Sequence, residues 1–315
     1  MEKNMKENFS NLKNRVEDTL KVTDLEYIRY ELSNIKTPTM VSGVGGSSVV
    51  SDFASKVLSS KNNIISHNFE PRDFLYTNVN LYDNVLVCSY SGNNYGVDLS
   101  FNNNLNKYLL SSKTYEDIDK VYLTYNSTLD KEKSFISLAA TMMPISVLLD
   151  YYLDGKYDIL SIIKEHSFSF DTNCDVYEIF SGLDTSTVSK YLESTIVESG
   201  IGVPIVHDKY AFCHGRSTLS KNYNNVAIYL NKNTEFDKLA INELYKHYKD
   251  VIIIDSEFDE PMLSEYDMLT KAMYLTKYIA EQKGKDLSGV DYSPMTKKFY
   301  KYNGNIYEIK ELNYF

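Results

Sequence analysis

The sequence predicts an α/β fold built from two similar domains, each with a parallel sheet between two layers of helices. Three observations support this prediction. Strand-like apolar runs alternate with helical stretches over most of the 315 residues, which is typical of parallel sheets. That length fits about two domains of ~150 residues each. The segment SGVGGSSVVSDFASKVL, from Ser42, also aligns without gaps with SGLDTSTVSKYLESTIV, from Ser181, which indicates a duplicated domain.

The first half of the chain supplies one predicted domain. Short apolar runs predict strands, and apolar residues at helical spacing predict helices. In order, the predicted elements are a strand at 39–44, a helix at 47–60, strands at 62–69 and 84–90, a helix at 97–110, a strand at 120–126 and a helix at 136–152. The last helix is apolar on nearly all sides, as expected for a helix buried between layers.

The second half repeats this order. Its predicted elements are a strand at 176–182, a helix at 187–200, strands at 203–208 and 225–230, a helix at 234–248, a strand at 251–255 and a long helix at 262–283. The polar stretch between the halves predicts a linker. The predicted organisation is therefore an N-terminal helical segment at 1–36, a first domain at 37–153, a linker at 154–175, a second domain at 176–283 and a C-terminal tail at 284–315.

Composition excludes several classes of protein. A net charge of −10 disfavours nucleic acid and anionic membrane surfaces as partners. No apolar run reaches the ~18 residues of a membrane span, and the polar N-terminus is unlike a secretory signal. The three cysteines lie far apart, which argues against a disulfide framework or a zinc cluster and favours a reducing, cytoplasmic location.

Two loops of the first half predict an anion site. Gly43–Ser48 follows the first strand and Ser89–Asn94 follows the third, and each loop leads into a predicted helix. Ligands of open parallel sheets bind beyond the carboxyl ends of the strands, where backbone N–H groups at helix starts favour anions. Hydroxyl and amide groups add short donors, and Gly45 and Gly92 allow close approach of the backbone.

The same loops have other interpretations. A serine-rich helix start is often an ordinary N-cap, so either loop alone is ambiguous, and the predicted site depends on both occurring in one domain. The run GVGGSS lacks the last glycine of the dinucleotide fingerprint, and the Walker pattern of nucleotide hydrolases is absent from the sequence.

VSGVGGSS and CSYSGNN together resemble the sugar isomerase (SIS) domain family, in particular the tandem-SIS isomerase domain of glutamine:fructose-6-phosphate amidotransferase and related phosphosugar isomerases and deglycases. In that family, loops of the form SxSGxT hold the sugar phosphate. The resemblance implies two tandem SIS domains of three-layer αβα type. It also implies substrate-binding roles, to the phosphate or the sugar, for Gly45, Ser47, Ser89, Tyr90, Ser91, Asn94 and Ser137.

The resemblance extends to a pair of catalytic groups. The family's E…HGP segment places a glutamate and a histidine sixteen positions apart, and Glu198 and His214 have that separation. It implies that Glu198 moves the proton between C1 and C2 and that His214 opens the sugar ring. Both roles suit the chemistry, since a carboxylate with a raised pKa can act as the base and imidazole titrates near neutrality. The family's histidine usually comes from the neighbouring subunit, which implies a homodimer with a composite site.

Nearby residues have plainer interpretations. Glu193 is expected to be solvated surface, and His207, next to Asp208, a structural or surface residue. Arg216 stands where the family commonly has proline, and it could pair with a carboxylate or with an anionic part of the substrate. In the C-terminal tail, the resemblance matches Lys297 to a lysine that reaches the carbonyl end of the sugar, although here the chain continues beyond it.

The leading hypothesis is a phosphosugar isomerase that interconverts aldose and ketose phosphates, with or without an amino group, and uses no metal or organic cofactor. One alternative is a deglycase that cleaves a sugar–amine adduct at the same carbon. Another is a regulator that binds a sugar phosphate without catalysis. The pairing of Glu198 with His214 favours an enzyme.

Overall fold

The chain folds into two compact units, each built around one parallel sheet. The structure is a computed structural model that describes residues 2–115, 119–134, 136–218, 224–289 and 295. One unit, the five-stranded unit, comprises residues 22–128. The other, the four-stranded unit, comprises residues 2–21 and 129–289. This division into units does not test the domain boundaries predicted from the sequence, which therefore remain a prediction.

The five-stranded unit has an apolar central strand with polar loops after it. Its strands are β1 (Thr39–Ser42), β2 (Ser66–Phe69), β3 (Asn84–Cys88), β4 (Asn106–Ser111) and β5 (Lys120–Thr124). Their order is β2-β1-β3-β4-β5, and all are parallel. Every residue of β3 is buried, as expected for a strand covered on both faces. Because the chain moves to one side after β1 and to the other after β2, the switch in topology lies between β1 and β3.

Three helices accompany this sheet. They are α3 (Leu25–Asn34), α4 (Gly46–Asn62) and α5 (Tyr95–Ser100), counted after the amino-terminal helices α1 (Glu2–Ser10) and α2 (Leu12–Val22). Asp24 caps α3 by accepting the N–H of Tyr27. One side of the core joins β1, β3 and β4 to α5 through Met40, Val85, Val87, Val97 and Leu109.

The four-stranded unit repeats this arrangement. Its strands are β6 (Val176–Ser181), β7 (Val203–Asp208), β8 (Asn225–Leu230) and β9 (Asp250–Ile254). Their order is β7-β6-β8-β9, and all pairs are parallel. The helices that follow α5 along the chain are α6 (Ala139–Tyr152), α7 (Ser186–Ser199), α8 (Glu235–His247) and α9 (Pro261–Gln282).

The two sheets have the same order in their first four strands, as a duplication requires. Ser42 ends β1 and Ser181 ends β6, so the ungapped sequence alignment is also a structural one. The predicted α/β class, with two parallel sheets flanked by helices, is confirmed. In the part of the chain that the structure describes, no helix combines the length and apolarity needed to cross a bilayer.

One predicted helix is wrong. The structure replaces the helix expected at 97–110 with the short helix α5, a turn and the strand β4. Asn103 makes the turn, because its side chain donates to the carbonyl of Ser100 and accepts the N–H of Leu105. Asparagine side chains that bond to nearby backbone in this way favour turns over helix interiors.

Candidate active site

The two loops predicted to form an anion site meet at the carboxyl edge of the five-stranded sheet. They follow β1 and β3, which are neighbours on either side of the topological switch point. A Cβ atom built on Gly96, in α5, would lie 2.4 Å from Cγ2 of Val44, so the helix that follows the second loop packs directly on the first. We name residues 43–48 and 89–94 together the cradle.

Ser89 holds the second loop of the cradle in shape. Its hydroxyl accepts the N–H of Gly92 at 3.1 Å and the side-chain amide of Asn94 at 3.0 Å. The side chain is buried, with the residue 4% exposed. Since a hydroxyl accepts two hydrogen bonds and donates one, the Ser89 hydroxyl can still donate one hydrogen bond to a ligand.

Asn94 links the loop to the helix after it. Its Oδ1 accepts the N–H of Val97 at 3.2 Å and so caps α5 with an uncharged group. Gly45 precedes α4 with φ of 60°, and no side chain caps that helix start. A Cβ on Gly45 would meet nothing within 4 Å, so the described residues leave space beside the first turn of α4.

The backbone of Tyr90 and Ser91 is held toward the end of β4. The carbonyl of Tyr90 accepts the hydroxyl of Ser112 at 2.7 Å, and the carbonyl of Ser91 accepts the hydroxyl of Tyr115 at 2.5 Å. In a planar trans peptide the N–H points opposite to the carbonyl, so the N–H of Ser91 points away from Ser112. Gly92 has φ of 68°, and a Cβ there would lie 2.7 Å from Oγ of Ser111.

The cradle contains donors without charge. Its twelve residues, GVGGSS and SYSGNN, include no ionisable group except the Tyr90 phenol. Ser47 lies half-buried in the first turn of α4, at the open end described above. Backbone N–H groups and hydroxyls arranged in this way can bind an anion without a lysine or arginine.

Ser137 lies in the four-stranded unit, just before α6. Its carbonyl accepts the hydroxyl of Thr141 at 3.1 Å. The start of α6 is instead occupied by Glu132, whose carboxylate accepts the N–H groups of Leu138, Ala139 and Ala140 at 2.8–3.2 Å. Burial raises the pKa of Glu132, and these bonds and Arg15 oppose that rise. Sequence reasoning missed this residue, which lies seven positions before the helix.

Glu198 and His214 lie at opposite ends of the strands of the four-stranded sheet: Glu198 before β7 begins and His214 after it ends. Glu198 lies at the end of α7, before β7 begins, and its Oε1 accepts the hydroxyl of Ser194 at 2.7 Å. His214 lies exposed in the turn after β7, beside Gly215 with φ of 100°. The six residues of β7 separate those ends by roughly 17 Å. The structure therefore does not bring the two side chains of one chain together.

The neighbouring residues have distinct environments. Glu193 is exposed, as expected, and Arg216 donates from Nη1 to the carbonyl of Val206 at 3.2 Å. His207 is buried and pairs with Glu178, not with Asp208, through an Nε2–Oε2 distance of 2.8 Å. Lys297 lies outside the described residues.

Sequence reasoning also missed two buried polar groups of the four-stranded unit. Glu178 accepts hydrogen bonds from Asn225 and from the hydroxyl of Tyr248 as well as pairing with His207. Lys209 and Asp237 form an ion pair of 2.8 Å with side chains at most 1% exposed. Within the described ranges, His, Cys, Asp and Glu side chains form no group of three that could hold a metal ion.

Solved structures share this fold. Tagatose-6-phosphate ketose/aldose isomerase from Escherichia coli matches with a TM-score of 0.72 and 12% identity, over 92% of this chain and 97% of that one. The C-terminal domain of glucosamine-fructose-6-phosphate aminotransferase from Francisella tularensis matches with a TM-score of 0.70 and 11% identity, over 90% and 97%. Glucosamine-6-phosphate deaminase from Thermotoga maritima matches with a TM-score of 0.69 and 14% identity, over 89% and 95%.

These matches confirm the SIS-type fold that the sequence motifs predicted. They cover most of this chain and nearly all of each matched chain, so both units take part in the likeness. No protein-family model and no curated protein matches the chain in sequence. At identities of 11–14%, the likeness establishes the fold and leaves the reaction to be argued from the residues.

Proposed function

We propose that this chain is a phosphosugar isomerase, which interconverts an aldose phosphate and a ketose phosphate by ring opening and proton transfer between C1 and C2. The observation that supports it best is the cradle: uncapped helix start, short donors and two left-handed glycines meet at the switch point of a parallel sheet. The named sugar-phosphate enzymes of the same fold support the choice of ligand.

A composite site made by two copies of the chain is part of the proposal. Glu198 as the proton-transferring base and His214 as the ring-opening group lie too far apart in one chain to serve one sugar, since a whole strand separates them. Two chains related by a twofold axis can each supply one group to a shared site. We also propose a cytoplasmic location, on the sequence evidence of three separated cysteines.

A deglycase is the second candidate, because breaking a sugar–amine adduct at the same carbon needs the same ring opening and the same base. The glucosamine-6-phosphate deaminase of this fold keeps that candidate open. The third candidate, a regulator that binds a sugar phosphate without turning it over, needs the cradle but neither Glu198 nor His214.

Proton exchange tests these candidates. The protein is mixed with fructose 6-phosphate or glucosamine 6-phosphate in deuterated water, and NMR follows the loss of a C1 proton from the ketose or of the C2 proton from the aldose. An isomerase exchanges this proton, and Glu198→Gln should slow exchange by roughly 10²–10⁴-fold, the usual loss for a general base. Glu193→Gln, on the exposed face of the same helix, is the matched control and should exchange at the wild-type rate.

Mixing variants tests the composite site. Glu198→Gln and His214→Ala chains are each expected to be inactive, but a mixed dimer restores one complete site if the two groups come from different chains. Random mixing should then return roughly a quarter of the wild-type exchange rate. Binding of a sugar phosphate with no exchange under any condition would support the regulator instead.

A further inference from the structure

A second concave site lies within the four-stranded unit. A cavity of about 460 Å³ opens over the sheet face that α8 covers, beside the turn after β7. Small-molecule sites commonly range over roughly 300–1,000 Å³, so this volume is sufficient for one ligand. Among the described residues its walls are mainly aromatic: Phe180, Tyr210, Phe212, Tyr229, Phe236 and Tyr248.

The rings of these walls are arranged around Phe180. Phe212 meets it edge to face, with centroids 4.8 Å apart and planes at 75°. Tyr229 lies nearly parallel to it, with centroids 6.0 Å apart and planes at 25°. Tyr210 and Phe236 form a second pair at 4.9 Å. Walls that present both ring faces and ring edges suit a planar ring, which can stack on one and meet the edge of another.

The charged groups of the cavity wall are already paired, and one of them, Glu243 at the exposed margin, pairs with Lys246 at 2.6 Å. Lys209 lines the cavity, and its ammonium pairs with Asp237 at 2.8 Å while lying 5.3 Å and 5.7 Å from the ring centroids of Tyr210 and Tyr229. A ligand anion would have to compete with a buried carboxylate for this lysine. The wall therefore favours an uncharged ligand, in contrast to the phosphate expected at the cradle.

Polar groups lie at the margin of the cavity. Ser217 and Thr218, in the turn after β7, and His247, at the end of α8, are exposed residues that also line it. They offer donors and acceptors to the solvent-facing edge of a bound molecule. A few polar groups around an apolar wall are the usual composition of a small-molecule site.

We propose that this cavity binds a neutral planar ring compound with one polar edge, and that it is a ligand site separate in chemistry from the cradle. The inference does not depend on the proposed isomerase activity, because the cavity wall contains neither a cradle residue nor Glu198 or His214. If the space were only a packing gap, a ring compound would not saturate it.

Saturation-transfer NMR on the full chain tests the proposal, with indole as the probe. Indole should bind saturably with a dissociation constant at or below about 1 mM, a realistic affinity for so small a ligand. Indole-5-carboxylate, which has the same ring with a charge, should bind at least tenfold more weakly because the lysine is already paired.

Ala240→Leu provides the blocking variant. Ala240 lies on α8 in the cavity wall, so a leucine there fills the space while keeping a good helix former. Indole affinity should fall at least tenfold, with an unchanged or raised melting temperature. Asn242→Leu introduces the same residue at an exposed position two residues on; it is the control and should bind indole as the wild type does.

Phe236→Ala is an independent test, because it removes one partly exposed aromatic side chain from the cavity wall. It should lower the affinity for indole three- to tenfold. Three results would overturn the proposal. They are the absence of saturable indole binding to the wild type, equal affinities in the wild type and Ala240→Leu, and binding of indole-5-carboxylate as tight as that of indole.

Discussion

The loops after β3 and β8 occupy the same place in the two sheets, but different groups accept the hydrogen bonds of their backbone N–H donors. Each follows the third strand in the spatial order and leads into a helix. After β3, the loop is tied together by the hydroxyl of Ser89 and the amide of Asn94, both uncharged. After β8, the protein places one of its own carboxylates in the corresponding loop.

That carboxylate belongs to Asp237. Its Oδ2 accepts the N–H groups of Lys232 and Thr234 at 3.1 Å and 3.0 Å and the hydroxyl of Thr234 at 2.8 Å. Its Oδ1 accepts from Lys209 at 2.8 Å and from the hydroxyl of Tyr229 at 2.7 Å. Backbone N–H groups, a hydroxyl and a cation around two oxygens are the contacts that a bound anion would receive.

The N-termini of α4, which follows β1, and of α7, which follows β6, show the same contrast between a neutral group and an internal carboxylate. The start of α7 is contacted by Glu265, a buried residue of α9 whose Oε1 accepts the N–H of Thr187 at 3.0 Å. The start of α4, its counterpart, begins at Gly45 without a side-chain cap. Both anion positions of the four-stranded unit thus receive internal carboxylates. In the five-stranded unit the Asn94 amide caps α5, no side chain caps α4, and the one acidic residue in the first turn of α5, Asp98, is exposed.

Under the proposed function, the comparison explains how one duplicated fold can retain a single anion site. Helix starts attract negative charge wherever they occur, and that charge can come from the protein or from a ligand. In the four-stranded unit it comes from the protein, through Asp237 and Glu265. In the five-stranded unit, a sugar phosphate can supply it. The predictions below test each side of this contrast.

The largest effect is expected at Asp237. Asp237→Ala leaves the ammonium of Lys209 buried without its partner, so the free energy of unfolding of the four-stranded unit should fall by about 3–5 kcal/mol. Urea unfolding measures this. Glu235→Ala, at an exposed position in the same helical turn, is the matched control and should change little. Adding Lys209→Met to Asp237→Ala should recover part of the lost stability. An unchanged urea midpoint in Asp237→Ala would refute the idea that the Asp237 carboxylate stabilises this loop in place of a bound anion.

Acid should weaken the same site. Burial acts to raise the pKa of Asp237, but hydrogen bonds from Lys209, Tyr229 and Thr234 outweigh it and lower the pKa to about 2, from 3.8. A lowered folded-state pKa stabilises the fold above pH 3.8, and the stabilisation is lost as pH falls through about 2. The full difference is on the order of 2 kcal/mol. The unfolding free energies of wild type and Asp237→Asn, compared between pH 6 and pH 2, should converge by most of that amount; parallel curves would contradict it.

The sequence predicted the fold because its evidence is local. Strand–helix alternation depends on residues near in sequence, and the gapless repeat at Ser42 and Ser181 needs no knowledge of contacts. Together they predicted both parallel sheets except for the strand β4. The helix predicted at 97–110 failed for a local reason too, since the run of asparagines makes a turn that an apolar pattern does not reveal. The strand β4 beyond it was then counted as helix.

The site was less accessible to sequence reasoning because its partners are distant along the chain. Glu265 is 78 positions from Thr187, and Lys209 is 28 positions from Asp237, so no pattern pairs them. The capping box of Thr234 and Asp237 is local and could have been found from the spacing TEFD. The spacing of Glu198 and His214 matches that of the resembled family, but spacing alone does not show that the strand β7 between them places the two residues at opposite ends of the sheet.

Asn94→Asp tests whether the neutral loop is what admits phosphate. Aspartate caps helices as well as asparagine does, and the Ser89 hydroxyl can donate to the new carboxylate where it accepted the Asn94 amide, so stability should change little. A carboxylate in the cradle nevertheless repels a phosphate. Affinity for fructose 6-phosphate, measured by calorimetry, should fall at least about tenfold, which corresponds to about 1.4 kcal/mol. Asn102→Asp adds the same charge at an exposed residue outside the cradle and should weaken binding less. Equal losses in both variants would indicate a general charge effect, not a site at the cradle.

The smallest effects should distinguish cradle residues that hold the loop in its conformation from those that contact the phosphate. Ser89→Ala removes the acceptor of two hydrogen bonds and leaves the N–H of Gly92 buried, so the free energy of unfolding should fall by about 1 kcal/mol. Ser91→Ala should leave unfolding unchanged, because the described bond of Ser91 uses its carbonyl, yet it should weaken fructose 6-phosphate binding if its hydroxyl meets the phosphate. Urea unfolding and calorimetry on both variants check this crossed pattern. If Ser91→Ala altered neither quantity, the phosphate would have to be held by the backbone of the loop and by the start of α4 alone.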